Sequence, residues 1–341
     1  MLRILLALVV VFPFVALAAG FVFTEWKTSQ FETAYPNIGR RTDIGGYALN
    51  SVDIPAGANA DLPPIVFIHG ASGNLRDQLF AFEKPLEGRA RLIFVDRPGY
   101  GYSDRGGAEN DTPAGQADAI ARLLEKKGID HAIIVGHSLG GAIAASFGVR
   151  HPDKTAGLLF LSAATHPWKG GVDWYYDLAA MPVIGTIFRY TMLLPVGLER
   201  IDSGSRAVFA PNPMPADYVA NTMPGMILRP SAFYANAVDV SGLNAFVKTM
   251  APHYREITAP TVIMTGDSDD IVAEEIHSVG LKRDIPNSEL LWLKAVGHKT
   301  DYVANGLAVA AIEKLAGKPR DLAAMAVRFH APQDVRAALR K

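Results

Sequence analysis

The chain has no cysteine among its 341 residues. Disulfides, thiolate nucleophiles, iron–sulfur clusters and cysteine-based zinc sites are therefore excluded. It has no excess of either charge: 33 Lys plus Arg stand against 34 Asp plus Glu, a formal net charge of −1. Nucleic-acid binding rests on clustered surplus positive charge, so that class of partner is not expected. The nine histidines include no H-E-x-x-H or paired-ligand spacing, and no metal is expected. A P-loop and a G-x-G-x-x-G turn after a first strand are both missing, and with them the case for a nucleotide or any other cofactor. Hydrophobic residues make up 49% and charged residues 20%, a balance that supports a large core.

Charge is also missing from one N-terminal stretch, the 20 residues Ile4–Phe23. That length matches a bilayer's hydrocarbon core. Residues 1–24 therefore read as a retained anchor or as a signal peptide, the latter with small residues at Ala16-Leu17-Ala18. Arg3 ahead of the run favours an N-terminus inside, which puts the rest outside the cytoplasm. The protein is then membrane-anchored, or secreted or periplasmic if the segment is cleaved. Residues 25–39 read as a linker.

From residue 40 short apolar runs alternate with amphipathic ones. Arg40–Thr42 and Tyr47–Val52 predict antiparallel strands around Gly45-Gly46. Strands follow at Ile65–Ile68, Leu92–Val95, Ala132–Val135 and Leu158–Leu161, with helices over Thr112–Lys127 and Leu139–Arg150. The rhythm breaks between His166 and Arg255, which hold nine of the 22 prolines and six of the nine methionines. It resumes with strands Thr261–Thr265 and Glu289–Leu293 and helices near Val272–Leu281 and Val303–Leu315. Strand–helix alternation predicts an α/β fold, a mostly parallel sheet flanked by helices. The core is then residues 40–165 and 256–318, interrupted by an insertion at 166–255. Residues 319–341 predict a helical tail.

The chemistry centres on Gly136-His137-Ser138-Leu139-Gly140, a G-x-S-x-G pattern between a strand and a helix. A sharp turn there needs small flanking residues, and it lifts the Ser138 hydroxyl to a helix N-terminus that favours negative charge. Further segments fall around it: His69-Gly70-Ala71-Ser72-Gly73, Asp96-Arg97-Pro98-Gly99-Tyr100-Gly101-Tyr102-Ser103, Gly266-Asp267-Ser268-Asp269-Asp270-Ile271-Val272 and Gly297-His298. With these in this order, residues 45 to 316 resemble an α/β-hydrolase-fold serine hydrolase of the esterase or lipase kind, with a cap insertion.

The resemblance implies a Ser-His-Asp triad. Ser138 is the nucleophile, His298 the base and Asp269 the acid, chosen over Asp267 and Asp270 by the family's G-x-x-D-x-x-V spacing. It implies an oxyanion hole from the backbone N–H groups of Ala71 and Leu139. The expected reaction is hydrolysis of a small carboxylic ester through an acyl-enzyme. The aromatic and methionine content of the insertion favours an apolar or lipid-like one. A C–C, lactone or amide hydrolase or an acyltransferase would use the same residues, and a non-catalytic binding module on this fold is a reading of another class. His69 is expected to hold the oxyanion loop, His137 to pack beside the nucleophile, and Asp96 and Arg97 to shape their turn. The sequence leaves the oligomeric state open.

Overall fold

The computed structural model describes residues 2–332, with side chains from Val11 onward. Eight strands form one sheet in the order β1-β2-β4-β3-β5-β6-β7-β8. They are β1 Arg40–Asp43, β2 Ala48–Ile54, β3 Ile65–Ile68, β4 Leu92–Val95, β5 Ala132–His137, β6 Thr155–Leu161, β7 Thr261–Gly266 and β8 Ser288–Leu293. β2 runs antiparallel to β1 and β4, and every other pairing is parallel. The predicted α/β architecture is the observed one.

The helices are α1 Leu2–Ala34, α2 Leu75–Leu86, α3 Pro113–Lys126 and α4 Leu139–Arg150, then α5 Trp174–Ala180, α6 Ile184–Thr191, α7 Leu193–Leu198, α8 Ile201–Phe209, α9 Tyr218–Thr222 and α10 Pro230–Met250 between β6 and β7. α11 Glu274–Asp284, α12 Thr300–Val303, α13 Asn305–Leu315 and α14 Leu322–Arg328 complete the chain. Successive side chains of a strand face opposite ways. On β3, Val66 and Ile68 join one buried cluster while Ile65 and Phe67 join the other. Both faces are covered, so the central strands read as unbroken apolar runs. α4 is buried from Leu139 to Gly148, and its small residues permit that depth: a Cβ on Gly141 would lie 2.2 Å from the Ala163 Cβ.

β3 has β4 on one side and β5 on the other, so connections leave it in opposite directions. At such a switch point the loops beyond the strand ends part and leave a crevice. The His69–Gly73 loop after β3 and Ser138 after β5 meet there.

Three expectations change. The segment read as a linker is helical as far as Ala34, because Thr24 and Phe31 are buried and Phe31 packs with Leu193, Leu194 and Met226 of the insertion. α2 was not expected at all; its inward positions include the polar Asp77 and Gln78, which dilute the apolar pattern. Among the described residues no helix is long and apolar enough to cross a membrane, so the spanning anchor gains no support. The side chains of its first residues lie outside those described. The predicted C-terminal helix is α14, with Leu322 buried; the rest of that tail, from residue 333, lies outside the described residues.

Candidate active site

The elbow is built as its glycines require. Ser138 has φ 54° and ψ −122°, a conformation costly for a residue with a side chain. A Cβ on Gly136 would lie 2.5 Å from the Gly140 carbonyl oxygen, and one on Gly140 would lie 2.4 Å from that of Ile68. The turn is held by N–H bonds from Gly141 (2.9 Å) and Ala164 (3.0 Å) to the Ser138 carbonyl. Ser138 is half-buried, at the N-terminus of α4.

His298 and Asp269 are buried and in contact. The His298 Nδ1 lies 2.8 Å from Asp269 Oδ2. The other carboxylate oxygen accepts the backbone N–H groups of Ile271 (2.9 Å) and Val272 (3.0 Å). Burial on its own would raise the Asp269 pKa; the hydrogen bond and charge of His298, with the two N–H groups, outweigh it and hold the carboxyl below its ordinary value. An ionised Asp269 takes the Nδ1–H and leaves Nε2 as the basic nitrogen. Of the neighbouring acids, Asp270 is exposed, and Asp267 accepts the Ala295 N–H at 2.7 Å, which ties the two loops together. Among the described residues the Ser138 hydroxyl has no hydrogen bond to His298; such contacts are often long without substrate.

The loop carrying Ala71 lies against Ser138: a Cβ on Gly70 would stand 2.9 Å from the Ser138 Cβ. His69 braces it. Its Nε2 accepts the Arg97 N–H at 3.1 Å, so its Nδ1 carries the proton donated to the Gly70 carbonyl at 2.9 Å. Burial, then the Arg97 charge, pushes this imidazole well below its ordinary pKa, as an accepting Nε2 requires. His137 is buried against His298, its ring centroid 4.9 Å away and its Nε2 3.2 Å from the His298 carbonyl oxygen. Asp96 shapes its turn, accepting the N–H groups of Leu75 (2.8 Å) and Tyr102 (3.0 Å).

Three groups of residues around the site were not foreseen. Asp239 on α10 pairs with Arg97 at 2.7 Å and with Arg105 at 2.7 Å, and Arg97 also donates to the Gly70 carbonyl. Asn236, one turn earlier, accepts the Ser72 N–H at 2.8 Å. Asn212 reaches from the insertion to accept the Gly297 N–H at 2.8 Å, directly before His298. Lys299, directly after it, is buried between Asp77 (2.9 Å) and Asp301 (3.0 Å). Only the last had a local signal, a lysine adjoining the expected base. Asp77, His137 and Asp301 present ligating atoms within 4.8 Å of one another, but the Lys299 ammonium already sits against both carboxylates as their counter-charge.

The sequence pattern of the alpha/beta hydrolase fold family matches residues 63–300, and the chain belongs to that family. It is similar to lipase 1 of Psychrobacter immobilis, 24% identical over 240 residues, covering 69% of this chain and 71% of the lipase. It is similar to 2-(acetamidomethylene)succinate hydrolase of Mesorhizobium japonicum, 26% identical over 264 residues, covering 73% and 85%. A 31% identical stretch of 138 residues, 39% of this chain, matches the dihydrolipoyllysine-residue acetyltransferase component of the acetoin cleaving system of Cupriavidus necator, of which the match spans 36%. Among solved structures, a putative lipase of Acinetobacter baumannii superposes with TM-score 0.61 at 19% identity, covering 86% of this chain and 96% of the lipase. The protein is thus a member of the alpha/beta hydrolases, and the relatives it resembles include lipases and other hydrolases.

Proposed function

We propose that the protein is a serine hydrolase that cleaves a carboxylic ester through an acyl-enzyme. The 2.8 Å His298–Asp269 contact, together with the strained Ser138 backbone at the N-terminus of α4, carries this reading. His298 Nε2 takes the Ser138 proton as Oγ bonds to the ester carbonyl carbon. The tetrahedral oxyanion accepts the N–H groups of Ala71 and Leu139. Collapse breaks the C–O bond, and the alcohol leaves with the proton from His298. Water, deprotonated by the same imidazole, then releases the acid and restores Ser138. Asp269 stabilises the imidazolium in both halves.

The named lipases from Psychrobacter immobilis and Moraxella support the ester and its apolar character. A C–C substrate is the second reading, favoured by similarity to a 2-hydroxymuconate semialdehyde hydrolase, 30% identical over 148 residues. We place the enzyme at a membrane through α1, or in the secreted or periplasmic fraction if that segment is removed. p-Nitrophenyl esters of increasing acyl length test the reading. Activity lost in Ser138→Ala, with a fluorophosphonate labelling the wild type alone, supports it. A folded wild type that neither turns over esters nor takes the label overturns it in favour of a binding module.

A further inference from the structure

The surface formed by α1 and the first helices of the insertion is apolar to an unusual extent. The 21 residues Leu178–Leu198 contain one charge, Arg189. That side chain is turned inward: it is buried, donates to the Ala179 carbonyl, and lies 4.6 Å from the Tyr234 ring. What faces solvent instead is Val183 (72% exposed), Ile184 (61%), Ile187 (47%) and Val196 (55%).

α1 continues this surface. Gly20 lets it pack closely on α6, since a Cβ there would lie 2.3 Å from the Thr191 carbonyl oxygen, and Phe21 stacks on Tyr190. N-terminal to that crossing, every residue from Val11 to Ala19 is exposed, and none is charged. An open groove of about 610 Å³ joins the two elements, lined by Leu17, Ala18 and Phe21 on one side and Thr186, Ile187 and Tyr190 on the other. Exposed apolar areas this continuous are rare on soluble proteins and mark a surface that is covered in use.

We propose that this face of the insertion docks on a lipid bilayer, with α6 and α7 seated at the boundary between headgroups and acyl chains. The observations that select a bilayer are these. The face contains no charge and few groups for directional recognition, whereas protein interfaces carry about one hydrogen bond per 100–200 Å². It is continuous with a helix of 33 residues, about 50 Å long, in which Ile4–Phe23 hold no charge. Docking of α6 and α7 requires no spanning helix; an amphipathic surface sinks roughly 5–10 Å into the interface. The proposal goes beyond the hydrolase reading and does not depend on the chemistry at Ser138.

The chain has no cysteine, so single cysteines report one position each. The full-length variants Ile184→Cys and Val196→Cys carry an environment-sensitive fluorophore; Asp130→Cys, exposed just before β5, is the control. Circular dichroism verifies that each is folded. With phosphatidylcholine vesicles, emission at positions 184 and 196 shifts to the blue and is quenched by lipids spin-labelled in the acyl chain, in low and high salt alike, while position 130 is unchanged. Three results overturn the proposal. The protein sediments with vesicles but positions 184 and 196 do not respond, so that α1 alone holds it. The shift arises without vesicles as protein concentration rises, so that a second copy covers the face. Or the protein does not bind vesicles.

Discussion

Asp239, in the insertion's last helix, and Arg97, in the turn after β4, form a fully buried ion pair at 2.7 Å. Arg97 also donates to the carbonyl of Gly70, and the Asp239 carboxylate further accepts Gln116 (2.9 Å) and Tyr100 (3.0 Å). One carboxylate thus links α10 to the loop proposed to hold the oxyanion. Removing one partner of a buried pair costs about 3–5 kcal/mol, because the other charge stays buried without it. Asp239→Ala should lose stability on that scale in urea unfolding, and the variant that still folds should show lower kcat as the Gly70 loop relaxes.

The three acids after β7 should separate cleanly. Asp269→Asn should lower kcat by roughly 10⁴, the scale for losing the group that fixes the imidazole tautomer. Asp270→Asn should leave it nearly unchanged. Asp267→Asn should show mainly as lower thermal stability, since its carboxylate accepts the Ala295 N–H. Ester kinetics and melting temperatures on the three variants check this.

Gly70→Ala should impair turnover more than folding. The added methyl would stand 2.9 Å from the Ser138 Cβ and 3.2 Å from His137 Nδ1, so the loop and Ser138 must move apart. Errors of about 1 Å in such geometry can cost 10²-fold. The expected result is a fall in kcat with little change in melting temperature.

His277 should make the root of the insertion acid-sensitive. Its Nδ1 accepts the N–H groups of Thr165 (3.1 Å) and His166 (3.0 Å), which requires an unprotonated nitrogen. Burial, then the charge of His166, lowers its pKa from 6.5 to about 4. The unfolded chain takes up a proton from about pH 6.5 downward, while the folded chain refuses it until about pH 4. The contribution is therefore complete above pH 6.5 and lost as pH falls toward 4, about 3 kcal/mol in all. In His277→Asn, whose amide oxygen can accept both bonds, urea midpoints should fall less between pH 7 and 4.5 than in the wild type.

The sheet was legible because its central strands are buried on both faces and stand as short apolar runs between turns. The elbow was legible because Ser138 and its glycines adjoin in sequence. Asp269, expected from the family's spacing to Gly266 and Val272, lies 2.8 Å from His298 and accepts the Val272 N–H, 3.0 Å away. α2 was obscured by Asp77 and Gln78 at inward positions and by Pro85. The α1 extension was obscured by Glu25, Lys27 and Glu32, which suggest a solvated segment although Glu32 pairs with Arg229. Asp239 and Arg97 are 142 residues apart, and nothing local in either segment signals the other.

The bonds from α10 to the core also divide the insertion into two parts with different histories open to them. Asn236 and Asp239 are wired to Ser72, Arg97, Tyr100, Arg105 and Gln116, whereas α5, α6 and α7 touch the rest mainly through apolar packing. An exchange of these lobes between relatives, by recombination or in the laboratory, must therefore rejoin the chain before Asn212, which accepts the Gly297 N–H, and Tyr218, which donates to Asp77. A junction placed beyond α10 would also carry off the carboxylate that Arg97 and Arg105 share.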